Sequence, residues 1–107
     1  MANVQAIALS FCRYVADHPE VNNSDARIGA WLIGAVAKTG QSPLELTYRD
    51  IYKGFSMAGS SVEGLGSRYE TIRASIEKLE NIGLISCTEG RQVGFGYTSK
   101  HYTIHEV

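Results

Sequence analysis

Between Tyr69 and Ile82 the apolar residues Tyr69, Ile72, Ile76, Leu79 and Ile82 recur at three- and four-residue intervals, and Gly83 follows at once. That spacing lays one apolar stripe along a helix, and the glycine suits the left-handed cap that ends one. Ser67, with Glu70 three residues on, forms a capping box, so the helix is expected from Ser67 to Ile82. Leu84 to Thr88 then alternates weakly as a strand, and Glu89 to Gly96 is rich in turn residues. Tyr97 to His105 alternates again, with Tyr102 and Ile104 on one face and His101, Thr103 and His105 on the other. The link between these strands is too short for a parallel crossover, so they must pair as an antiparallel hairpin.

The N-terminal half supplies partners for that stripe. Val4, Ile7, Ala8, Phe11 and Val15 share one face of a helix expected over Val4 to Asp17, which His18-Pro19 ends. Ser24 and Asp25 read as the start of a second helix running to Lys38. Its Ile28, Trp31, Leu32, Ile33, Ala35 and Val36 leave few polar sides, so it is expected to be central and buried. Gly29 and Gly34 each cost about 1 kcal/mol there relative to alanine, which points to close approach of a neighbouring helix. Gly40 ends the segment and Pro43 bars its continuation. Leu44 to Leu46 is a short extra strand. Thr47 with Asp50 then resembles a capping box, and Tyr48, Ile51, Tyr52 and Phe55 follow at helical spacing. Ser56 to Gly66 is a loop rich in Gly and Ser. The expected fold is therefore α+β, one domain over residues 1–107, with four helices and a C-terminal hairpin.

Charge and composition narrow the function. Ten Lys and Arg stand against eleven Asp and Glu, a net charge of −1, so bulk charge does not hold this chain to nucleic acid. Any such binding needs a local basic face. Cys12 and Cys87 lie far apart, in no CxxC pair or metal spacing, and read as small buried hydrophobes of a reduced cytoplasm. No apolar run reaches the ~18 residues of a membrane span, and Met1 to Val4 lack the basic start of a signal peptide, so a cytoplasmic setting is expected. His18, His101 and His105 are not clustered, and Gly64-Leu65-Gly66 has no Lys-Ser/Thr partner for a nucleotide loop. With no nucleophile motif and no paired carboxylates placed for hydrolysis, the chain does not read as an enzyme, and no cofactor is expected.

The run from Ser67 to Ser86, ending in Leu79-x-x-x-Gly83-Leu84-Ile85, resembles the recognition helix and first wing strand of winged helix-turn-helix DNA-binding proteins. Leu46 to Tyr52 looks like the helix that precedes it in that family. The resemblance covers Leu44 to His105, and Phe55 to Gly66 replaces the family's tight turn. It implies sequence-specific binding to double-stranded DNA, as in replication initiators of plasmids, phages and satellites or in small transcriptional repressors. It also implies pairing as a homodimer, here through the first or second helix, within 1–43.

An amphipathic helix can bury one stripe and lay the opposite face in the major groove, its N-terminal residues nearest the bases. Those residues are Ser67, Arg68, Thr71 and Arg73, with Ser75 and Lys78 on the same outward side. Arginine reads guanine bidentately, and serine and threonine reach bases or phosphates. The hairpin offers Arg91, Gln92 and Lys100 to the backbone or minor groove. Thr47, Arg49 and Lys53 suit phosphates at a helix N-terminus. Asp50, Glu70, Glu77 and Glu80 would have to avoid the DNA. The alternative is a winged-helix module that binds protein and not DNA, which the near-neutral charge favours.

Overall fold

The computed structural model describes residues 3–47, 50–51, 69–92 and 98–107. Among them are three helices and one three-stranded antiparallel sheet. The first helix, α1, spans Val4–Asp17, the range its stripe predicts. Asn3 caps it, its side chain accepting from the Ala6 amide at 3.1 Å. Ile7 and Phe11 are buried, and Val4, Ala8 and Val15 pack at the edge of the core.

The second helix, α2, spans Asn23–Thr39 and begins earlier than expected. Its cap is Asn22, whose Oδ1 accepts from the Asp25 amide at 2.9 Å, while Asp25 Oδ2 accepts from the Asn22 amide at 3.2 Å. The reciprocal pair satisfies two amides that a helix start leaves without a partner. Gly40, at φ 69°, closes the other end by donating to the Val36 carbonyl at 2.8 Å. The expected burial of α2 holds for one side: Ile28, Leu32, Ile33 and Val36 are in the core, whereas Trp31 and Ala35 are partly buried and Ala30, Gly34 and Ala37 are exposed. At Gly29 the expected close approach is present: a Cβ there would lie 2.5 Å from Cζ of Phe11 on α1. At Gly34 it is absent, for that position is exposed and a Cβ would meet nothing within 4 Å.

The third helix, α3, spans Tyr69–Asn81. It packs on α2, and Ile72, Ile76 and Leu79 are each at most 1% exposed. Gly83 at φ 90° lets the chain turn back: its amide donates to Glu80 O at 3.1 Å, and the Leu84 amide donates to Leu79 O at 3.0 Å. This paired closure needs a left-handed residue, which glycine adopts without a Cβ clash. The fourth helix expected between Thr47 and Phe55 falls mostly outside the described residues. Its start is described, and Asp50 and Ile51 are helical. Asp50 Oδ2 accepts from the Thr47 amide at 2.9 Å, and Thr47 Oγ1 accepts from the Asp50 amide at 3.1 Å, the capping box the sequence indicates. Ile51 is fully buried.

Three strands follow the order β1-β3-β2, where β1 is Leu44–Leu46, β2 is Ile85–Gln92 and β3 is Thr98–Ile104. β3 is central, with Leu44 opposite Tyr102 on one side and Ile85 opposite Ile104 on the other. One sheet face carries Leu44, Ile85, Tyr102 and Ile104 into the core with the three helices. The other face carries Glu45, Ser86, Thr88, Ser99, His101 and Thr103. β2 runs past Thr88, where a turn was expected. Glu89 pairs with Lys100 and Gln92 with Thr98, which leaves Gly90 and Arg91 together opposite Ser99, a β-bulge. A Cβ on Gly90 would collide with Ser99 Oγ and lie 2.9 Å from the Ser99 carbonyl oxygen. Glycine there allows the two backbones to meet, so it marks a bulge and not a turn.

The cysteines divide. Cys87 is half-buried, and desolvation pushes its thiol up to about 11, with the Glu80 charge adding and the Lys100 charge opposing. Cys12 is exposed, contrary to expectation, because one residue beyond Phe11 turns it about 100° off the buried stripe. Among the described residues no helix is long and apolar enough to cross a membrane.

Candidate nucleic-acid interface

The outward face of α3 is narrower than the sequence suggests. Arg73, Ala74, Glu77, Glu80 and Asn81 are exposed. Ser75 is only 2% exposed, a correction to its expected place on the outward side. Arg73 Nε lies 3.8 Å from Glu77 Oε1, one helical turn on, and both side chains are about two-thirds exposed, 66% and 64%. Such a pair contributes about 0.3–0.5 kcal/mol. Arg73 can therefore leave Glu77 for a stronger anion at little cost. The described exposed face holds one guanidinium and two carboxylates, with Glu77 and Glu80 C-terminal to Arg73.

Lys78 is turned toward α2. Its ammonium lies 3.0 Å from Asp25 Oδ2 and donates to the Glu20 carbonyl at 2.8 Å. Asp25 is almost wholly buried, its side chain 3% exposed against 38% for Lys78. One carboxylate thus caps α2 through the Asn22 amide and anchors the C-terminal turn of α3 through Lys78. The N-terminus of α2 packs over the side of α3 that a helical wheel assigns to solvent. The ammonium of Lys78 is thus paired with α2 while its side chain stays partly exposed.

On the outer sheet face a polar cluster spans all three strands. Glu45 sits on β1, opposite His101 on β3. Its Oε2 accepts from Ser99 Oγ at 2.8 Å, lies 3.2 Å from Arg91 Nε, and lies 3.9 Å from His101 Nε2. Ser99, 2% exposed, also accepts from the Arg91 amide at 2.9 Å, which pins the bulge. The Ser99 hydroxyl holds the Glu45 carboxyl below its ordinary range; desolvation opposes this, and the charges of Arg91 and His101 assist. Arg91 itself remains 77% exposed. Gln92 beside it is exposed, and Lys100 is half-buried opposite Leu46 and Glu89. Arg91 thus reaches Glu45 on the outer face, whereas Lys100 alternates onto the other face with Leu46 and Glu89, so the register does not bring the two cations together.

Thr47 is 7% exposed and its hydroxyl serves the capping box. Arg49, Lys53, Ser67, Arg68 and the side chain of Thr71 lie outside the described residues. Sequence reasoning missed Glu45 and Ser99 altogether. Their contacts join positions 54 and 8 residues apart, and only the alternation of Glu45 between Leu44 and Leu46 hints that it faces outward. Among the described residues no cluster of His, Cys, Asp and Glu could hold a metal ion. Leu9 on α1, 62% exposed, lines an open groove with Ala6, Arg13, Tyr14 and Val107. Compared with protein-family models, curated proteins and solved structures, the chain matches none.

Proposed function

We propose that this protein binds double-stranded DNA in the manner of a winged helix-turn-helix, as a replication-initiator module or a small repressor. The observation that carries the reading is the order of elements from α3 onward. An amphipathic helix passes through Gly83 directly into a hairpin, and the returning strand β3 inserts beside β1 to give the sheet order β1-β3-β2. The winged-helix resemblance implies a helix followed at once by such a hairpin. In this reading Arg73 and the residues N-terminal to it meet the major groove, and Arg91 and Gln92 meet the backbone. The exposed Arg73, paired among the described residues with the exposed Glu77, can exchange that partner for a phosphate or a guanine edge. Pairing of two copies along α1, whose Leu9 is exposed, would match two half-sites.

Selection of bound duplexes from a random library tests the proposal. An enriched site, with affinity falling steeply as salt rises, is expected. No enrichment, together with no salt-dependent retention of any duplex, rejects it. A second reading has its own support. The exposed Glu77 and Glu80 give the described part of α3 an acidic surface, which suits a basic protein partner better than a phosphate backbone. Glu77→Gln/Glu80→Gln separates the two, since it strengthens DNA binding and weakens a basic protein ligand.

A further inference from the structure

Arg91 is the most exposed cation that the structure places on the hairpin, yet it already has an anion. Glu45 Oε2 stands 3.2 Å from its Nε, fixed there by the Ser99 hydroxyl at 2.8 Å. We propose that Glu45 is an internal competitor for Arg91, a carboxylate that must yield the guanidinium before a phosphate can take it. The inference rests on the DNA-binding reading and adds to it a residue that restrains affinity.

The geometry gives three reasons. Glu45 reaches Arg91 across the intervening strand β3, so this contact is tertiary and not a chance neighbour along one element. The carboxylate is 33% exposed and is held by a buried hydroxyl, whereas the arginine side chain is 77% exposed with its Nε 3.2 Å from that carboxylate. The Arg91 side chain keeps most of its surface exposed, so a phosphate can reach it as Glu45 yields, the carboxylate remaining tied to Ser99. Finally, the bulge amide of Arg91 donates to the same Ser99 Oγ, which keeps the base of the side chain in place when its tip changes partner. His101 Nε2 lies 3.9 Å from the same carboxylate oxygen.

Glu45 and an incoming phosphate compete for the one guanidinium of Arg91. Removing the carboxylate charge therefore tightens binding, and removing the guanidinium loosens it. Glu45→Gln keeps an oxygen for Ser99 and drops the charge. The probe is a fluorescein-labelled, mixed-sequence duplex about three helical turns long, measured by anisotropy over a salt series. Glu45→Gln is expected to bind about two- to fivefold tighter, the equivalent of one exposed ion pair. Arg91→Ala is expected to bind more weakly, with a log–log salt slope shallower by about 0.9. Glu45→Gln/Arg91→Ala is expected to match Arg91→Ala, because the carboxylate acts only through the guanidinium. The Arg91 Nε–H, followed by NMR in the free protein, should exchange faster in Glu45→Gln. Unchanged or weaker binding by Glu45→Gln, with the fold intact by circular dichroism, overturns the proposal alone. An additive double variant also overturns it. Wild-type protein that retains no duplex removes the DNA reading, and the competitor role with it.

Discussion

Replacing Gly29 by alanine sets two effects of known sign against each other. Alanine in a helix interior is favoured over glycine by about 1 kcal/mol. The new methyl would lie 2.5 Å from Phe11 Cζ, 2.8 Å from Phe11 Cε2 and 3.2 Å from Leu84 Cδ2. Apolar carbons rest about 3.5–4.0 Å apart, so the ring has to withdraw by about 1 Å. Phe11 is 4% exposed and sits within the core cluster, so its withdrawal displaces neighbours and does not end in solvent. Overpacking of this kind costs about 1–3 kcal/mol. The sum leaves Gly29→Ala less stable than wild type by up to about 2 kcal/mol. Gly34, on the same helix, is the control. With nothing within 4 Å of its Cβ position, Gly34→Ala keeps the propensity gain and meets no resistance. Urea unfolding followed by circular dichroism should separate the two variants by about 1–3 kcal/mol. Their melting temperatures should fall on opposite sides of the wild type, by about 4–8 °C per kcal/mol. Adding Phe11→Leu to Gly29→Ala should cost less than the sum of the single changes. Equal stabilisation by both glycine replacements would refute the claim that α1 and α2 meet ring against backbone.

Three further outcomes follow from the contacts. Lys78→Met leaves Asp25 buried without its cation and is expected to lose about 1–3 kcal/mol in urea unfolding, less than a fully buried pair because the lysine is partly exposed; Asp25→Asn in that background should recover part of the loss. Because the folded state depresses the Glu45 pKa, Glu45 contributes stability at pH above its ordinary value of 4.5 and loses it as pH falls through the lower folded value. The wild type should accordingly be more stable than Glu45→Gln at neutral pH, and their urea midpoints should draw together as pH falls below 4.5. Raised from 9.0 to about 11, the Cys87 thiol carries about a hundredfold less thiolate than an ordinary one, so a thiol reagent should modify Cys12 rapidly in the native protein and Cys87 only on unfolding.

Where a feature depends on neighbours along the chain, it could be read from the residues. The stripe of α1 and its His18-Pro19 stop gave both ends of that helix, and Gly40 and Gly83 gave two closures. The start of α2 was misplaced because Ser24 and Asp25 both favour caps. Asn22 with Asp25 three residues on is the pair that forms, and the acidic partner was mistaken for the cap. β2 was cut short because glycine marks turns and bulges alike, and only the opposite strand tells them apart. Ser75 and Lys78 were assigned to solvent by a helical wheel, which cannot register distant contacts such as those of Lys78 with Glu20, fifty-eight positions away, and with Asp25 of α2. Glu45 and Ser99 were passed over for the same reason. Of the expected interface, Arg73, Arg91, Gln92 and Lys100 have described places at or near the surface, while Arg49, Lys53, Ser67 and Arg68 fall outside the described residues.

The extra residue at Gly90 has a mechanical meaning. An antiparallel ribbon with one more residue on one strand than on the other bends and twists at that point. Here the bend lies just before Gln92, the last residue of β2, and Gly90 has no place in the apolar core. Deleting Gly90 would restore a one-to-one ladder without shifting the pairing on either side, because Glu89 would still face Lys100 and Gln92 would still face Thr98. The aim of the hairpin is thus a trait that one insertion or deletion can alter while the core stays as it is. Among descendants of this chain, the direction of the hairpin could diverge by single-residue length changes sooner than the packing of α1, α2 and α3.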